Sequence, residues 1–354
     1  MPSALLALLF LIAMAFASPL ANEEDNGDSE EIDFVDDITE EGEHRIQKRQ
    51  VRKNIWAPMP IPYTFYANVK DTKKATIRAA VKFWEDNTCV RFQENGEGNN
   101  RIMINGTGAC SSVVGMDGGK QTMRVAHGCY ACQMVHEMMN TLGATHMQNR
   151  EDRDQYITIN WDNLNPGSAY NYKITSQATH ELLGLPYEFG SVMHYSAMSR
   201  NINKDVSVLV AKAPYQMYQN SMNGRMPTFL DIKMINTRYN CYEQCPKPQV
   251  QCWNLGEVDV NDCSKCKCPM GWAGNTCAER PANTTVFNAA TTSAKYSIKM
   301  RETTEYTSDD LDYHKDYYVI QAPFLHKVEV NISPKNDAKD SCSDRGVEVK
   351  FRSD

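Results

Sequence analysis

What this chain lacks narrows its function before any motif is read. No block of lysine and arginine is long enough to make a nucleic-acid footprint, and the formal net charge is −7, so polyanions are poor partners. Beyond residue 17 there is no apolar run of membrane-spanning length, and the run from 4 to 17 is itself too short for a comfortable span. No histidine stands near the dense cysteine group between 245 and 277, which weighs against a zinc knuckle there. At 354 residues the chain is too long for one ordinary domain, and two or three units are expected.

The short apolar run, A-L-L-A-L-L-F-L-I-A-M-A-F-A, ends in small residues at Ala15 and Ala17, the spacing that signal peptidase reads, although no basic segment precedes it. Residues 1–17 are therefore expected to be a signal peptide. Twelve cysteines suit the oxidising extracellular compartment. Sequons at Asn105, Asn283 and Asn331 point weakly the same way, toward a secreted glycoprotein. From 18 to 52 the composition is acidic and poor in large apolar residues, then abruptly basic at K-R-Q-V-R-K. Two readings stand for it: a solvated disordered linker, and an acidic propeptide released by cleavage at the basic residues, with Arg49 to Arg52 as a second cleavage point.

Next, Ile77, Ala80, Val81 and Trp84 recur at helical spacing behind a capping Asp71 and predict a helix with one apolar core face. Short strand-like runs follow at 90–92, 101–104 and 123–126 between Gly and Asn clusters. Then comes V-H-E-M-M-N-T-L-G-A-T-H, from Val135 to His146: a helix carrying His136 and Glu137, a glycine at 143 where it can stop, and a second histidine at 146.

This stretch resembles the H-E-x-x-H-x-x-G-x-x-H zinc motif of metzincin proteases, with Asn140 at the middle histidine. Arg150 to Leu164, the Met-turn G-S-V-M-H-Y at 190–195, P-Y-T-F-Y near 62, W-E-D-N-T-C-V-R-F near 84 and F-L-D-I-K-M-I-N-T-R-Y-N-C ending at 241 are similar to the astacin family. The resemblance covers roughly 55 to 245. It implies an α+β fold: a two-lobed metzincin protease domain over 53–243, whose cleft takes an extended polypeptide. It further implies one zinc held by His136 and His146, with Asn140 at the degenerate position, Glu137 as general base, Tyr195 as an optional further ligand and Met193 beneath the site. The segment after Gly118-Gly119 would be a sheet edge that pairs with substrate. Asp37 would occupy the metal in the zymogen. The family's glutamate that receives the mature N-terminus is here Met147.

Cys245, Cys252, Cys263, Cys266, Cys268 and Cys277, with Gly271-Trp272 before the last, have the spacing of an EGF-like module over 244–278, too small to hold together without bridges. The family pattern would pair Cys245 with Cys263, Cys252 with Cys266, Cys268 with Cys277, Cys89 with Cys241 and Cys110 with Cys129, leaving Cys132 and Cys342. Alternating runs at 317–323, 326–332 and 346–351 resemble strands of a CUB-like β-sandwich over 279–354, truncated or divergent, since most of the usual cysteines are missing. His180 to Gly184, H-E-L-L-G, has no histidine four residues on and is read as coincidence.

Two functions from different classes follow. One is a secreted zinc endopeptidase hydrolysing peptide bonds, weakened because an asparagine amide is shorter than imidazole and a poorer zinc ligand. The other is a catalytically silent relative that keeps the cleft to bind an extracellular protein. Cys132, one helical turn before His136, offers a substitute thiolate, but on the side away from His146.

Overall fold

A computed structural model describes residues 55–175, 182–289, 296, 315–323 and 328–331, together with the strand backbones at 12–15 and 347–350. The described residues form two units, one from 55 to 246, the other holding those from 247 onward with 12–15. Asp37, Cys342 and the His180-Glu181 pair lie outside the described residues. Among the described residues, no helix is long and apolar enough to cross a membrane. Strands are numbered along the chain, beginning with β1 (Ile12–Ala15).

The larger unit opens with β2 (Ile61–Phe65) and α1 (Asp71–Asn87). Helix α1 buries Thr76, Ile77, Ala80, Val81 and Trp84, the face its periodicity marks. Asp71 is not its cap. Lys70 holds that position without a side-chain bond, and Asp71 begins the first turn, where a carboxylate suits the positive end of the helix and pairs with Lys74 at 2.8 Å. Strands β3 (Phe92–Glu94), β4 (Arg101–Asn105) and β5 (Lys120–Arg124) follow, with β3 and β5 shifted by two or three residues from the apolar runs at 90–92 and 123–126. They form a parallel sheet in the order β3-β2-β4-β5.

Strand β5 is last in that order, but its far end is covered. Arg124 exchanges backbone hydrogen bonds with Ser111, 2.8 and 3.4 Å long, in an antiparallel bridge. The chain then passes from Ser111 toward the next helix, where the Gly115 N–H donates to the Asn140 carbonyl at 2.8 Å. The edge expected after Gly118-Gly119 is thus shared with the segment that precedes it, because the Gly-rich turn folds the chain back on itself.

Helix α2 (Ala131–Thr141) is buried along its whole length except at Cys132. Such a helix belongs to the centre of a domain. The Trp84 indole N–H donates to the Val135 carbonyl at 3.0 Å and fixes α1 against it. The helix ends as its sequence predicts: Gly143 has φ +97, and Ala144 N–H returns to the Met139 carbonyl at 3.1 Å. The positive φ closes the position to L side chains; a β-carbon there would also stand 2.6 Å from the Arg238 guanidinium, which would have to move aside.

After α2 the backbone runs mostly in short 3-10 turns, with β6 (Ile157–Ile159) and β7 (Leu209–Ala211) pairing antiparallel and α3 (Phe229–Arg238) closing the unit. Disulfides join Cys89 to Cys241, 152 residues apart, and Cys110 to Cys129. The first clamps the end of α1 to the chain just beyond α3.

In the second unit, β8 (Glu257–Asp259) and β9 (Asp262–Lys267) form an antiparallel pair, with disulfides Cys252–Cys266 and Cys268–Cys277. Cys245 and Cys263 are each disulfide-bonded as well. A four-stranded sheet has the order β10-β11-β1-β12, from β10 (Thr284–Asn288), β11 (Asp316–Gln321) and β12 (Val347–Lys350). Residues 12–15, part of the apolar run read as a signal peptide, form a strand of this sheet. Of the alternating stretch at 326–332, the described residues 328–331 are not strand, since alternation without a hydrogen-bonding neighbour makes no ladder.

Trp84 is fully buried and holds the α1–α2 contact through both area and a hydrogen bond. Trp84→Ala is expected to cost about 3–5 kcal/mol, read as a lowered midpoint in urea denaturation; a loss within about 0.5 kcal/mol would contradict this account of the core.

Candidate functional site

The turn at Gly143 brings His146 back beside His136, with the two Nε2 atoms 3.2 Å apart. Both rings are buried, 1% and 3% exposed. His136 Nδ1 lies 2.7 Å from the Val192 carbonyl, which can only accept, so Nδ1 carries the proton and Nε2 keeps its lone pair. His146 packs against the Tyr195 ring at 4.6 Å between centroids, and Tyr195 in turn meets Tyr172 edge-on. Met193 is fully buried, its carbonyl accepting from Met147 N–H at 2.7 Å. The side chain of Gln148 accepts from Tyr195 N–H at 3.1 Å and steadies the same turn.

Glu137 is 1% exposed, next to His136 on α2. One carboxylate oxygen lies 3.0 Å from Ser112 Oγ and 3.4 Å from Asn140 Nδ2. The Ser112 hydroxyl also lies 2.8 Å from the Glu137 carbonyl, and its single proton divides between the two. With its amide nitrogen toward Glu137, Asn140 leaves Oδ1 buried and without a hydrogen-bond partner among the described residues. An acceptor in that condition costs about 1–3 kcal/mol unless a cation or donor meets it.

These residues allow a direct test of fit to a metal. Zinc–nitrogen bonds of about 2.0–2.1 Å at a tetrahedral angle hold their nitrogens about 3.3 Å apart. The histidine pair has that spacing, and the Val192 carbonyl has set the tautomer that ligation needs. Two imidazoles therefore fit, and the third donor on the same helix face is the Asn140 amide. Among the described residues, no three His, Cys, Asp or Glu side chains converge on one point. Cys132, a half-buried thiol, consequently does not complete a set with the two histidines; its place one turn before His136 carries it away from His146.

Met147, which the resemblance placed where the family has a glutamate, is 2% exposed in the apolar core. Beside it lies a cavity of about 30 Å³ lined by Thr145, Arg150, Thr175, Leu182 and Met234 among others.

His194 is an internal strut. Its Nδ1 donates to the Tyr195 carbonyl and its Nε2 accepts from the Tyr187 hydroxyl, both at 2.8 Å. Burial drives its pKa down to about 4, so the ring is neutral. Burial also pushes the Tyr187 phenol far up.

Among the sequons, Asn105 ends β4, where its side-chain oxygen accepts from Thr107 N–H at 3.1 Å and from the Thr107 hydroxyl at 2.9 Å. Asn283 donates to the Lys315 carbonyl and Asn331 to Glu329. Sequence reasoning missed Ser112, Gln148 and the Val192 carbonyl. Val192 lies within the Met-turn and Gln148 two residues past His146, but the contacts of all three span 25 to 56 positions of chain, which no local pattern shows.

Residues 48–240 match the Astacin family of peptidases. The chain is 32% identical to zinc metalloproteinase nas-28 of Caenorhabditis elegans over 88% of its own length and 67% of the relative's. It is 33% identical to zinc metalloproteinase nas-17 of the same organism over its full length and 83% of the relative's. The solved structure of high choriolytic enzyme 1, a hatching-enzyme zinc protease of the medaka fish Oryzias latipes, is 28% identical with a TM-score of 0.50, covering 55% of this chain and 98% of the other.

Tyr187→Phe removes the hydroxyl that donates to His194 Nε2 within a buried pair. The expected loss is about 1–2 kcal/mol, measured by urea denaturation at neutral pH. An unchanged midpoint would show that Tyr187 does not support that ring.

Proposed function

The chain belongs to the astacin family of zinc metalloproteases, and from that membership we propose that it is a secreted zinc endopeptidase with a weakened metal site. The observation that carries this reading is the 3.2 Å approach of the His136 and His146 nitrogens beside Glu137. His136 and His146 would hold one zinc, with the Asn140 amide oxygen as a weaker third donor and the Tyr195 phenol as an optional further one. Zinc bound there lowers the pKa of water and polarises the scissile carbonyl.

The chain's own residues do the rest. Glu137 takes the proton of the attacking water and passes it to the leaving amine, as a carboxylate beside a ligand is placed to do. Ser112 and Asn140 hold that carboxylate by hydrogen bonds. The backbone of the sheet edge near β5 and the Ser111 segment receives an extended polypeptide. Residues 1–17 act as signal peptide, 18–52 as propeptide with Asp37 as its switch, 244–278 as an EGF-like module and 279–354 as a CUB-like segment. The bridges at 252–266 and 268–277 and the β8–β9 pair support the EGF-like assignment. Asn105, Asn283 and Asn331 are the glycosylation acceptors.

A second reading is favoured by two particular residues. Asn140 offers a neutral oxygen where imidazole is the better ligand, and Met147 cannot accept the ammonium of a buried N-terminus. Structural zinc is worth roughly 10–16 kcal/mol over four ligands, so losing one costs on the order of 3 kcal/mol, or about two decades of affinity. The alternative is accordingly a silent relative that binds an extended polypeptide without cleaving it.

Zinc stoichiometry on the secreted, propeptide-free protein separates the two. The protease reading expects one zinc per chain and hydrolysis of an unfolded protein that Glu137→Ala abolishes. Folded protein with neither metal nor hydrolysis would establish the binding reading instead. Asn140→His is expected to raise zinc affinity about 100-fold in a chelator competition; equal affinity in both forms would refute the role given to that position.

A further inference from the structure

The carboxylate of Asp231 lies at the far end of a hydrogen-bond chain that reaches His136. It is fully buried in the first turn of α3. Its Oδ1 accepts from the Ser191 hydroxyl at 2.5 Å. Having given its proton to Asp231, Ser191 Oγ accepts from the Met193 N–H at 3.0 Å. That N–H and the Val192 carbonyl belong to one planar peptide unit, so fixing the first fixes the direction of the second. The Val192 carbonyl then takes the Nδ1 proton of His136 at 2.7 Å. The other oxygen, Oδ2, accepts from Val192 N–H at 3.1 Å and Thr228 N–H at 2.8 Å, so the turn is held from both sides.

We propose that Asp231 is a positioning residue for the metal site: through Ser191 and the Val192–Met193 peptide it holds His136 in the Nδ1-protonated tautomer with Nε2 turned to His146. This rests on the reading of His136 as a metal ligand. Every donor in the chain has one acceptor and every proton a fixed direction, running from imidazole to peptide to hydroxyl to carboxylate. A carboxylate at the end of such a chain polarises each bond in turn. Without it, the Ser191 hydroxyl is free to rotate and the peptide can tilt, which turns the Val192 carbonyl away from the Nδ1 proton it holds on His136.

The competing description is that Asp231 only caps α3, through its Oδ2 bond to Thr228 N–H and its own N–H to Thr228 Oγ1 at 3.2 Å. Ser191→Ala separates the two, because it removes the hydroxyl link from Asp231 to the Val192–Met193 peptide and leaves both the capping box and the Oδ2 bond to Val192 N–H in place. The experiment compares wild type, Asp231→Asn and Ser191→Ala in the full propeptide-free chain. Nitrogen-15 spectra of the imidazoles in metal-free protein report the tautomer, and zinc titration against a chromophoric chelator reports affinity.

The expected result is Nδ1-protonated His136 in wild type, a mixture of tautomers in both variants, and zinc affinity about 10-fold lower in each. Both variants folded, with the wild-type tautomer and affinity within about twofold, would overturn the proposal. If Asp231→Asn does not fold, Ser191→Ala decides alone by the same two readings. If wild type takes up no zinc, the protease reading fails, while the tautomer spectra still decide whether Asp231 positions His136.

Discussion

Burial of helix α2 is the constraint on which the rest of the larger unit depends. From Ala131 to Thr141 all residues but Cys132 are removed from solvent, and the helix nevertheless carries a histidine, a carboxylate and an amide. Each of these polar groups needs an internal partner, and the surrounding segments are arranged as suppliers. The Met-turn gives a carbonyl to His136, the segment after Ser111 gives a hydroxyl to Glu137, and the turn at Gly143 returns His146. Helix α1 is held to the same element through Trp84, whose hydrogen bond ends on an α2 carbonyl.

Within that arrangement Asn140 changes the chemistry more than the structure. It occupies the same helix face as His136, is equally buried, and its backbone carbonyl serves Gly115 and Gly143 irrespective of the side chain. The amide donates toward Glu137 through Nδ2 and leaves Oδ1 buried without a hydrogen-bond partner among the described residues. Met147 is the parallel case on the next turn. Its thioether fills apolar space in the core, and its main chain bonds the Met193 carbonyl.

Much of this was legible in the residues. The spacing of His136, Asn140, Gly143 and His146 specified a helix, a stop and a return, and the face of α1 followed from its period. Boundaries were less legible. Asp71 looked like a cap and proved to be the first helical residue, and strands β3 and β5 lie two or three residues from the apolar runs that announced them. Register in a sheet depends on the neighbouring strand as much as on the segment itself, which is why those errors fall at ends rather than centres. The stretch at 326–332 had the alternation of a strand, and its described residues found no neighbour to pair with.

The sequence by itself determined the family, the helix that bears His136 and Glu137, the glycine that ends it and the asparagine one turn after His136. These are local properties, carried by spacing and residue type within a dozen positions. Tertiary structure alone decided how close the two imidazole nitrogens come, which tautomer His136 adopts, and that Ser112 reaches Glu137 while Asp231 reaches Ser191. The last three rest on contacts that span 25 to 56 positions of chain, too far for any periodicity to encode. They exist because the buried polar groups of α2 and its neighbours must be satisfied by whatever the packed core brings within about 3 Å.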